Sequence, residues 1–269
     1  MVTEALDFLI HESGDPRDMM YLGGIYYELK EFDLARKYYE MAAACDHEPA
    51  HACLGYIFYY GRTGEPDYER AFYHFKKSAD LGNLQSAYKV ADMYRNGYYV
   101  EQDYDEYVSI IESLWPKVKR SQYTDGLIPE VGTRLAGIRA KQGRTEEAIA
   151  LYLKAKRSLS GRLAWDAFFG NFTIMKGLIH DLYQLMPLDE DNIDFYDLYE
   201  VLTRPCHVSF YYKNKPHDII AQEEDGAIVL SLDGRWYRNI DDFMQKGTVD
   251  GESLSARAGH FYYFEVEGR

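Results

Sequence analysis

Residues 50–82 read AHACLGYIFYYGRTGEPDYERAFYHFKKSADLG. Apolar residues recur every three or four positions on both sides of segment 61–67, as they do in amphipathic helices. Ala71, Phe75 and Ala79 are four residues apart, which places them on one face of a helix. Segment 61–67 contains two glycines and a proline, which favour a turn. The stretch therefore predicts a helical hairpin.

The same pattern recurs along the chain. Leu54-Gly55 corresponds to Val90-Ala91 at an offset of 36 residues, and Leu22-Gly23 is an earlier copy with a shorter connection between its helices. The small residue of each pair lets a partner helix approach closely, and stacked copies bury one continuous core. The register predicts helices at residues 16–29, 31–45, 48–60, 67–80, 84–96, 103–115, 127–142 and 145–159.

The ends of the copies carry their own signals. Gly14 and Gly82 lie eight residues before a Leu-Gly-like pair, and Asp46 takes the equivalent place. A residue with positive φ is expected there, as at helix C-termini. The third copy differs because Trp115 replaces a small residue and Pro116 follows it. Proline disrupts a helix interior, so we expect this helix to end at residue 115.

These residues resemble Sel1-like repeats, and a further unit at residues 135–155 resembles a plain tetratricopeptide repeat. The resemblance covers residues 2–159 and implies a right-handed α-α superhelix that binds proteins without a cofactor. The residues that carry it are Gly14, Leu22, Gly23, Tyr26, Ala50, Leu54, Gly55, Phe58, Ala71, Ala79, Gly82, Val90, Ala91, Tyr94, Leu135, Ala136, Gly143, Ala148, Tyr152 and Ala155.

The rest of the chain changes character twice. An apolar run at helical spacing over residues 161–186 and a short helix at 194–203 predict a cap that closes the repeat array. After Pro205 the period becomes two, with Val208, Phe210 and Tyr212 alternating with other residues. We therefore predict repeats at 1–159, a helical cap at 160–204 and a β-rich unit at 205–269.

The β-rich unit has clear turn signals. Asp225-Gly226 and Asp233-Gly234 each separate two strand-like segments, which is typical of β-hairpins. Asn239 is expected to cap a short helix, and residues 261–266 form a final strand. The predicted fold class is mainly α, a Sel1/TPR-like solenoid followed by a small antiparallel β-rich α+β unit.

Charge and composition exclude several classes of protein. The net charge is −14 and the pI about 5.0, so binding to nucleic acid is unfavourable. This charge is compatible with a basic protein partner, although solubility alone accounts for it. No apolar segment is long enough to span a membrane, and residues 1–10 do not resemble a secretory signal. The odd number of cysteines, three, fits a reducing cytoplasm.

Two groups of residues resemble metal sites. Cys45, His47, His51 and Cys53 are ligand types that suit zinc, but residues two apart do not share a helix face. The acidic run at 189–194 lacks the glycine of a calcium-binding loop, so a helix cap is the better interpretation. We predict no bound metal and no cofactor.

No catalytic motif is present. Cys206 and His207 are adjacent in a predicted strand, and their side chains therefore point to opposite faces. The sequence contains no phosphate-binding loop, zinc-protease motif or nucleophile elbow. We therefore expect that the protein is not an enzyme.

The resemblance assigns partner binding to the concave side of the repeats. The exposed positions of the first helix in each copy would be Met20, Gly24 and Tyr27, then Ala52, Tyr56 and Tyr59, then Tyr88, Asp92 and Arg95. The chain contains 26 tyrosines, which provide large contact areas at binding sites. The main hypothesis is a cytoplasmic scaffold that binds a peptide or protein, with Tyr27, Tyr56, Tyr59, Tyr88, Asp92 and Arg95 as binding residues.

The alternative is an enzyme or small-ligand-binding protein whose site lies in the C-terminal unit. The candidate residues for it are His207, His217, Trp236 and His260. A concave cleft where these side chains converge would support this alternative.

Overall fold

The computed structural model describes residues 14–120 and 125–267. The chain divides into two compact units, one up to Lys117 and one from Val118 onward. The first unit consists of helices, and the second combines helices with a five-stranded antiparallel sheet. The predicted fold class is confirmed.

The predicted helices of the first unit form with nearly the predicted ends. Within residues 14–120 no strand is present. The connection between the first two helices, residues 29–31, is shorter than the connection 60–67 in the second copy, as the register predicts. The helices are α1 (Pro16–Glu28), α2 (Phe32–Ala43), α3 (Glu48–Tyr59), α4 (Tyr68–Asp80), α5 (Leu84–Asn96) and α6 (Tyr104–Arg120).

The end of α6 was predicted wrongly. The helix continues through Pro116 to Arg120 instead of ending at residue 115. Leu114 and Val118 are buried on either side of the proline and keep the spacing of one helix face. Burial of this face outweighs the backbone hydrogen bond that the proline cannot donate.

In each of the first two repeats, an aromatic ring of the second helix packs directly on a glycine of the first helix. A Cβ atom on Gly23 would lie 2.5 Å from the ring of Tyr39, and one on Gly55 would lie 2.5 Å from the ring of Phe75. Such distances are far below van der Waals contact, so only glycine fits at either position. The predicted close approach of paired helices is therefore present twice, with the same geometry.

The predicted positive φ angles also occur. Gly14, Asp46 and Gly82 have φ of 62°, 53° and 105°. Asp46 follows α2 and Gly82 follows α4, where such a residue ends the helix and turns the chain toward the next repeat. Aspartate is strained in this conformation, whereas glycine is not.

The second unit begins with a further helical hairpin. Its second helix, Thr145–Leu163, is longer than predicted, and the cap region contains a single long helix, Phe169–Tyr183. Asp194 caps the next turn by accepting hydrogen bonds from the backbone of Tyr196 and Asp197. The helices are α7 (Ile128–Lys141), α8 (Thr145–Leu163), α9 (Phe169–Tyr183), α10 (Leu198–Val201), α11 (Ile240–Lys246) and α12 (Leu254–Arg257).

The sheet has the strand order β4-β3-β2-β1-β7. Two of its turns lie at Asp225-Gly226 and Asp233-Gly234, where all four residues have positive φ as two-residue hairpins require. A separate two-stranded hairpin, β5 with β6, was not predicted. The strands are β1 (Cys206–Tyr212), β2 (Lys215–Glu224), β3 (Ala227–Leu232), β4 (Arg235–Tyr237), β5 (Thr248–Val249), β6 (Glu252–Ser253) and β7 (Tyr262–Glu267).

One hydrophobic core extends through the second unit. It includes Tyr152 from α8, Phe172 from α9, Phe210 from β1 and Phe243 from α11. The predicted fourth repeat, the cap region and the sheet therefore bury side chains against one another. The domain boundaries at 159 and 204 stay a prediction, since the compact units divide at residue 117.

Candidate interaction surface

The second repeat places three tyrosines together at the end of α3, where Tyr60 contacts both of the others. Tyr56 and Tyr60, four residues apart, have stacked rings with centroids 6.1 Å apart. Tyr59 contacts Tyr60 edge-on, with centroids 5.1 Å apart. Tyr60 is 51% exposed, while Tyr56 and Tyr59 are half-buried and contact the Phe75 ring behind them. The group thus has an exposed side and a side anchored in the core.

Lys89 of α5 lies over this group. Its ammonium nitrogen is between 5.4 and 6.0 Å from the ring centres of Tyr56, Tyr59, Tyr60 and Tyr88. At such distances a cation is attracted by the negative faces of the rings. Four rings from two consecutive repeats therefore converge on one cation.

Burial shifts the pKa of two tyrosine hydroxyls of this group, those of Tyr56 and Tyr59, upward. Burial, followed by the nearby Tyr98 and Asp92, raises the pKa of Tyr59 to about 12. Burial also raises the pKa of Tyr56, whose hydroxyl accepts a hydrogen bond of 2.9 Å from Gln85. The neutral, protonated form of both hydroxyls is therefore favoured.

A second cation connects this group to the first repeat. The Arg62 guanidinium lies 5.5 Å from the Tyr60 ring centre and 5.6 Å from that of Phe32. Phe32 in turn contacts the ring of Tyr27 at 5.2 Å. We call Tyr27, Phe32, Tyr56, Tyr59, Tyr60, Arg62 and Lys89 the tyrosine surface.

The binding residues predicted in the third repeat, Tyr88, Asp92 and Arg95, are not among the exposed rings of the tyrosine surface. Tyr88 and Asp92 are each 6% exposed, so a partner could contact little of either. Asp92 lies 3.7 Å from the Arg95 guanidinium, which also covers the ring of Tyr107. Arg95 is exposed, whereas Tyr88 and Asp92 are buried, and Tyr88 meets the tyrosine surface through Lys89.

The other predicted positions, Met20, Gly24 and Ala52, are half-buried and take no part in these ring contacts. Sequence reasoning missed Tyr60, Arg62 and Lys89. Tyr60 could have been found because it follows Tyr56 by four residues, the spacing of neighbours on a helix. Nothing in the local sequence marks Lys89, because its contacts come from another repeat.

The candidate zinc ligands are in different environments. His51 Nδ1 lies 3.0 Å from Nδ1 of His74, and burial lowers the pKa of both rings. Cys45 is exposed, and burial raises the pKa of Cys53 to about 11, which disfavours the thiolate that binds zinc. Among residues 14–120 and 125–267, no three His, Cys, Asp or Glu side chains are grouped as metal ligands.

Two residues of the acidic run at 189–194, Asp189 and Asp194, are helix caps. Asp189 accepts a hydrogen bond from the backbone of Asp191, and Asp194 caps the following turn. Both carboxylates thus complete the ends of short 3₁₀ helices, as the sequence interpretation expects.

The residues of the alternative site do not converge. His207 lies on the outer face of the sheet, where it contacts Asp218 at 2.9 Å. His217 is buried on the opposite face, stacked on Phe210 and 2.7 Å from Asp233. Trp236 is exposed at the far end of the sheet, and His260 lines a separate pocket of about 300 Å³ together with Asp194 and Tyr196.

In the described part of the chain, no helix is both long and apolar enough to cross a lipid bilayer.

The comparisons with known proteins agree with the repeat register. A family model, the Sel1 repeat, matches residues 13–47, 49–83 and 84–106. The solved structure of a Sel1 repeat protein from Oxalobacter formigenes has a TM-score of 0.54 and 22% identity, covering 71% of each chain. A protective antigen of uropathogenic Escherichia coli strains, which displays an SLR fold, has a TM-score of 0.54 and 20% identity, covering 72% of this chain and 39% of that one. At these identities the similarity shows the fold alone.

No curated protein is significantly similar in sequence to this chain. The Sel1 repeat model thus matches three consecutive copies within residues 13–106, and the two solved structures share the helical-repeat fold.

Proposed function

We propose that this protein is a non-catalytic scaffold that binds a peptide or protein segment on the tyrosine surface. Sel1 and tetratricopeptide repeats are generally interaction scaffolds. The observation that carries the proposal is the convergence of Tyr56, Tyr59 and Tyr60 on Lys89, with Arg62 extending the contacts to the first repeat. Exposed aromatic rings and guanidinium groups are the side chains most often responsible for binding energy.

The partner favoured by the net charge of −14 is basic. Such a partner would place its own lysine or arginine on the rings that Lys89 now covers. Lys89 would then act as an internal competitor, occupying the rings until the partner arrives. Because the partner's cation would replace Lys89 on the rings, a substitution of Lys89 tests the charge of the partner.

The test uses Tyr60→Ala, because Tyr56 and Tyr59 contact the core ring of Phe75 and their loss would disturb packing. Peptides selected from a displayed random library against the full chain are titrated with wild type and variant. We expect Tyr60→Ala to weaken binding by about 1–3 kcal/mol, as at hot spots. Tyr73→Ala is the control, because Tyr73 is 54% exposed on α4 outside this surface.

Equal affinity of wild type and Tyr60→Ala for every selected peptide would refute the tyrosine surface as the binding site. Lys89→Met decides the charge of the partner in the same titration. If the partner is basic, this variant binds more tightly, and wild-type affinity falls as salt screens the attraction. Weaker binding by Lys89→Met would instead show that the surface takes an acidic partner.

A further inference from the structure

The second unit contains a sheet edge without a partner in the described part of the chain. The strand order leaves β7 with β1 as its one neighbour. The opposite edge is β4, which has three residues. β7 has six residues, Tyr262–Glu267, and so presents the longer edge. An edge of this kind can accept another strand through its backbone groups.

The register shows which backbone groups of β7 face outward. Lys213 and Asn214 form a two-residue turn, so the flanking pair Tyr212–Lys215 exchanges hydrogen bonds. Alternation along β1 then directs the backbone groups of Ser209 and His207 toward β7, where they pair with Glu265 and Glu267. The N–H and C=O groups of the intervening residues, Phe264 and Val266, therefore point to the free edge.

These outward groups have no acceptor or donor within the described residues, since no hydrogen bond joins them to another segment. The strand begins with a bulge at Tyr263, whose φ is 55°. Residues 265–267 beyond the bulge pair regularly with β1. Bulges and charged side chains are the usual means of limiting edge pairing. Here residues 264–267 have no strand on their outer side in the described part of the chain, while the 3₁₀ helix Glu190–Asn192 packs beside β7.

A groove of about 610 Å³ lies beside this edge. It is lined by Asp191, Asn192, Ile193, Tyr263, Phe264 and Glu265. Its charged side chains are both carboxylates, and Glu267 is exposed further along the same strand. The groove therefore combines unpaired backbone groups, an apolar wall formed by Ile193 and Phe264, and negative charge.

We propose that the free edge of β7 binds an extended peptide segment as an additional strand, and that this segment carries lysine or arginine at alternate positions. Glu265 and Glu267 share the outer face of the sheet, so they select basic side chains two residues apart. The side chain between them faces the apolar wall and is itself apolar. This site is separate from the tyrosine surface and does not depend on it.

A second copy of this chain is a poorer occupant of the edge. An antiparallel pair of β7 strands that uses the backbone of both Phe264 and Val266 brings glutamate opposite glutamate. Like charges directly opposite each other destabilise a strand pair. The charge pattern of β7 thus disfavours self-association and favours a basic partner.

The experiment selects random peptides of about ten residues, the length of a long strand, against the full chain at low salt. Enriched peptides are then titrated with wild type, Val266→Pro and Val266→Ala. Proline at 266 removes the outward N–H but leaves the hydrogen bonds to β1, and edge strands tolerate it. Val266→Ala is the matched control, because it shortens the side chain and keeps the N–H.

We expect the selection to enrich peptides that carry basic residues at alternate positions. Their affinity should fall about tenfold or more with Val266→Pro and little with Val266→Ala. Glu265→Lys, which does not alter the backbone, should weaken the same peptides by a similar factor. If circular dichroism shows that Val266→Pro unfolds the sheet, the affinity of Glu265→Lys alone tests the proposal.

Three results would overturn the proposal. The first is a selection in which no enriched basic peptide binds wild type more tightly than it binds Glu265→Lys. The second is a set of peptides that bind Val266→Pro normally and lose affinity with Tyr60→Ala, which would assign them to the tyrosine surface. The third is a wild-type dimer in sedimentation that Val266→Pro dissociates, which would make a second copy the occupant.

Discussion

The two units are held together by different kinds of contact. In the first unit the same packing occurs twice, with the ring of Tyr39 on Gly23 and the ring of Phe75 on Gly55. In the second unit, ion pairs join distant segments. Lys156 and Asp197 form a buried pair at 2.6 Å, and Arg162 and Glu130 form a part-buried pair at 2.7 Å. Repeated packing appears as a periodic pattern in sequence, whereas a buried ion pair does not. The difference explains why the first unit is the more predictable.

The largest expected effect concerns the buried ion pair of the second unit. Lys156→Met leaves the Asp197 carboxylate, whose side chain is 3% exposed, without its cation. We expect a loss of about 3–5 kcal/mol in the free energy of unfolding, because an uncompensated buried charge is strongly destabilising. Urea denaturation followed by circular dichroism measures it.

The control for that prediction is Lys176→Met. Lys176 and Asp241 are 2.8 Å apart in the same unit, but both side chains are nearly half exposed. An exposed pair contributes less than about 1 kcal/mol. The double variant Lys156→Met/Asp197→Asn should recover part of the loss. A similar small effect from both lysine variants would show that the buried pair is not what holds the second unit.

A smaller effect is expected from the packing of the first unit. Gly23→Ala introduces a methyl group 2.5 Å from the Tyr39 ring and should destabilise the protein by about 1–3 kcal/mol. The neighbouring Gly24→Ala places its methyl group 4.0 Å from the Tyr39 hydroxyl and should be neutral or stabilising, since alanine favours a helix by up to about 1 kcal/mol. Thermal melts of the two variants that coincide would contradict the ring-on-glycine contact.

The smallest expected effect is a pH dependence of the first unit. His51 and His74 are in contact, and burial lowers the pKa of both, that of His74 to about 4. Between pH 6.5 and about 4 these two histidines therefore bind more protons in the unfolded chain than in the folded protein. Stability is therefore complete above pH 6.5 and falls as the pH decreases through this range, by on the order of 1 kcal/mol after solvent screening.

Urea denaturation between pH 7 and pH 4.5 measures this dependence, and His74→Gln should reduce it. His180→Gln, on an exposed position of α9, is the control and should leave it unchanged. If His74→Gln and wild type lose stability in parallel, groups other than the histidine pair determine the acid sensitivity.

The sequence by itself determined most of the helices of the first unit and two of the hairpin turns of the second. Periodicity located the helices from α1 to α5 to within a few residues, and Asp225-Gly226 located a hairpin, because these signals act between neighbours along the chain. Pro116 shows the limit of such signals. Its local preference predicted a helix end, and burial of Val118 beyond it kept the helix intact.

Only the tertiary structure decided how the candidate sites are assembled. The register predicts Tyr56 and Tyr59 as binding residues, but the position of Lys89 over their rings depends on the packing of α5 against α3. The final strand was predicted, but its place beside β1, and hence the free edge, was not. Contacts between residues far apart in the chain arise from packing of a whole unit. No local propensity encodes them.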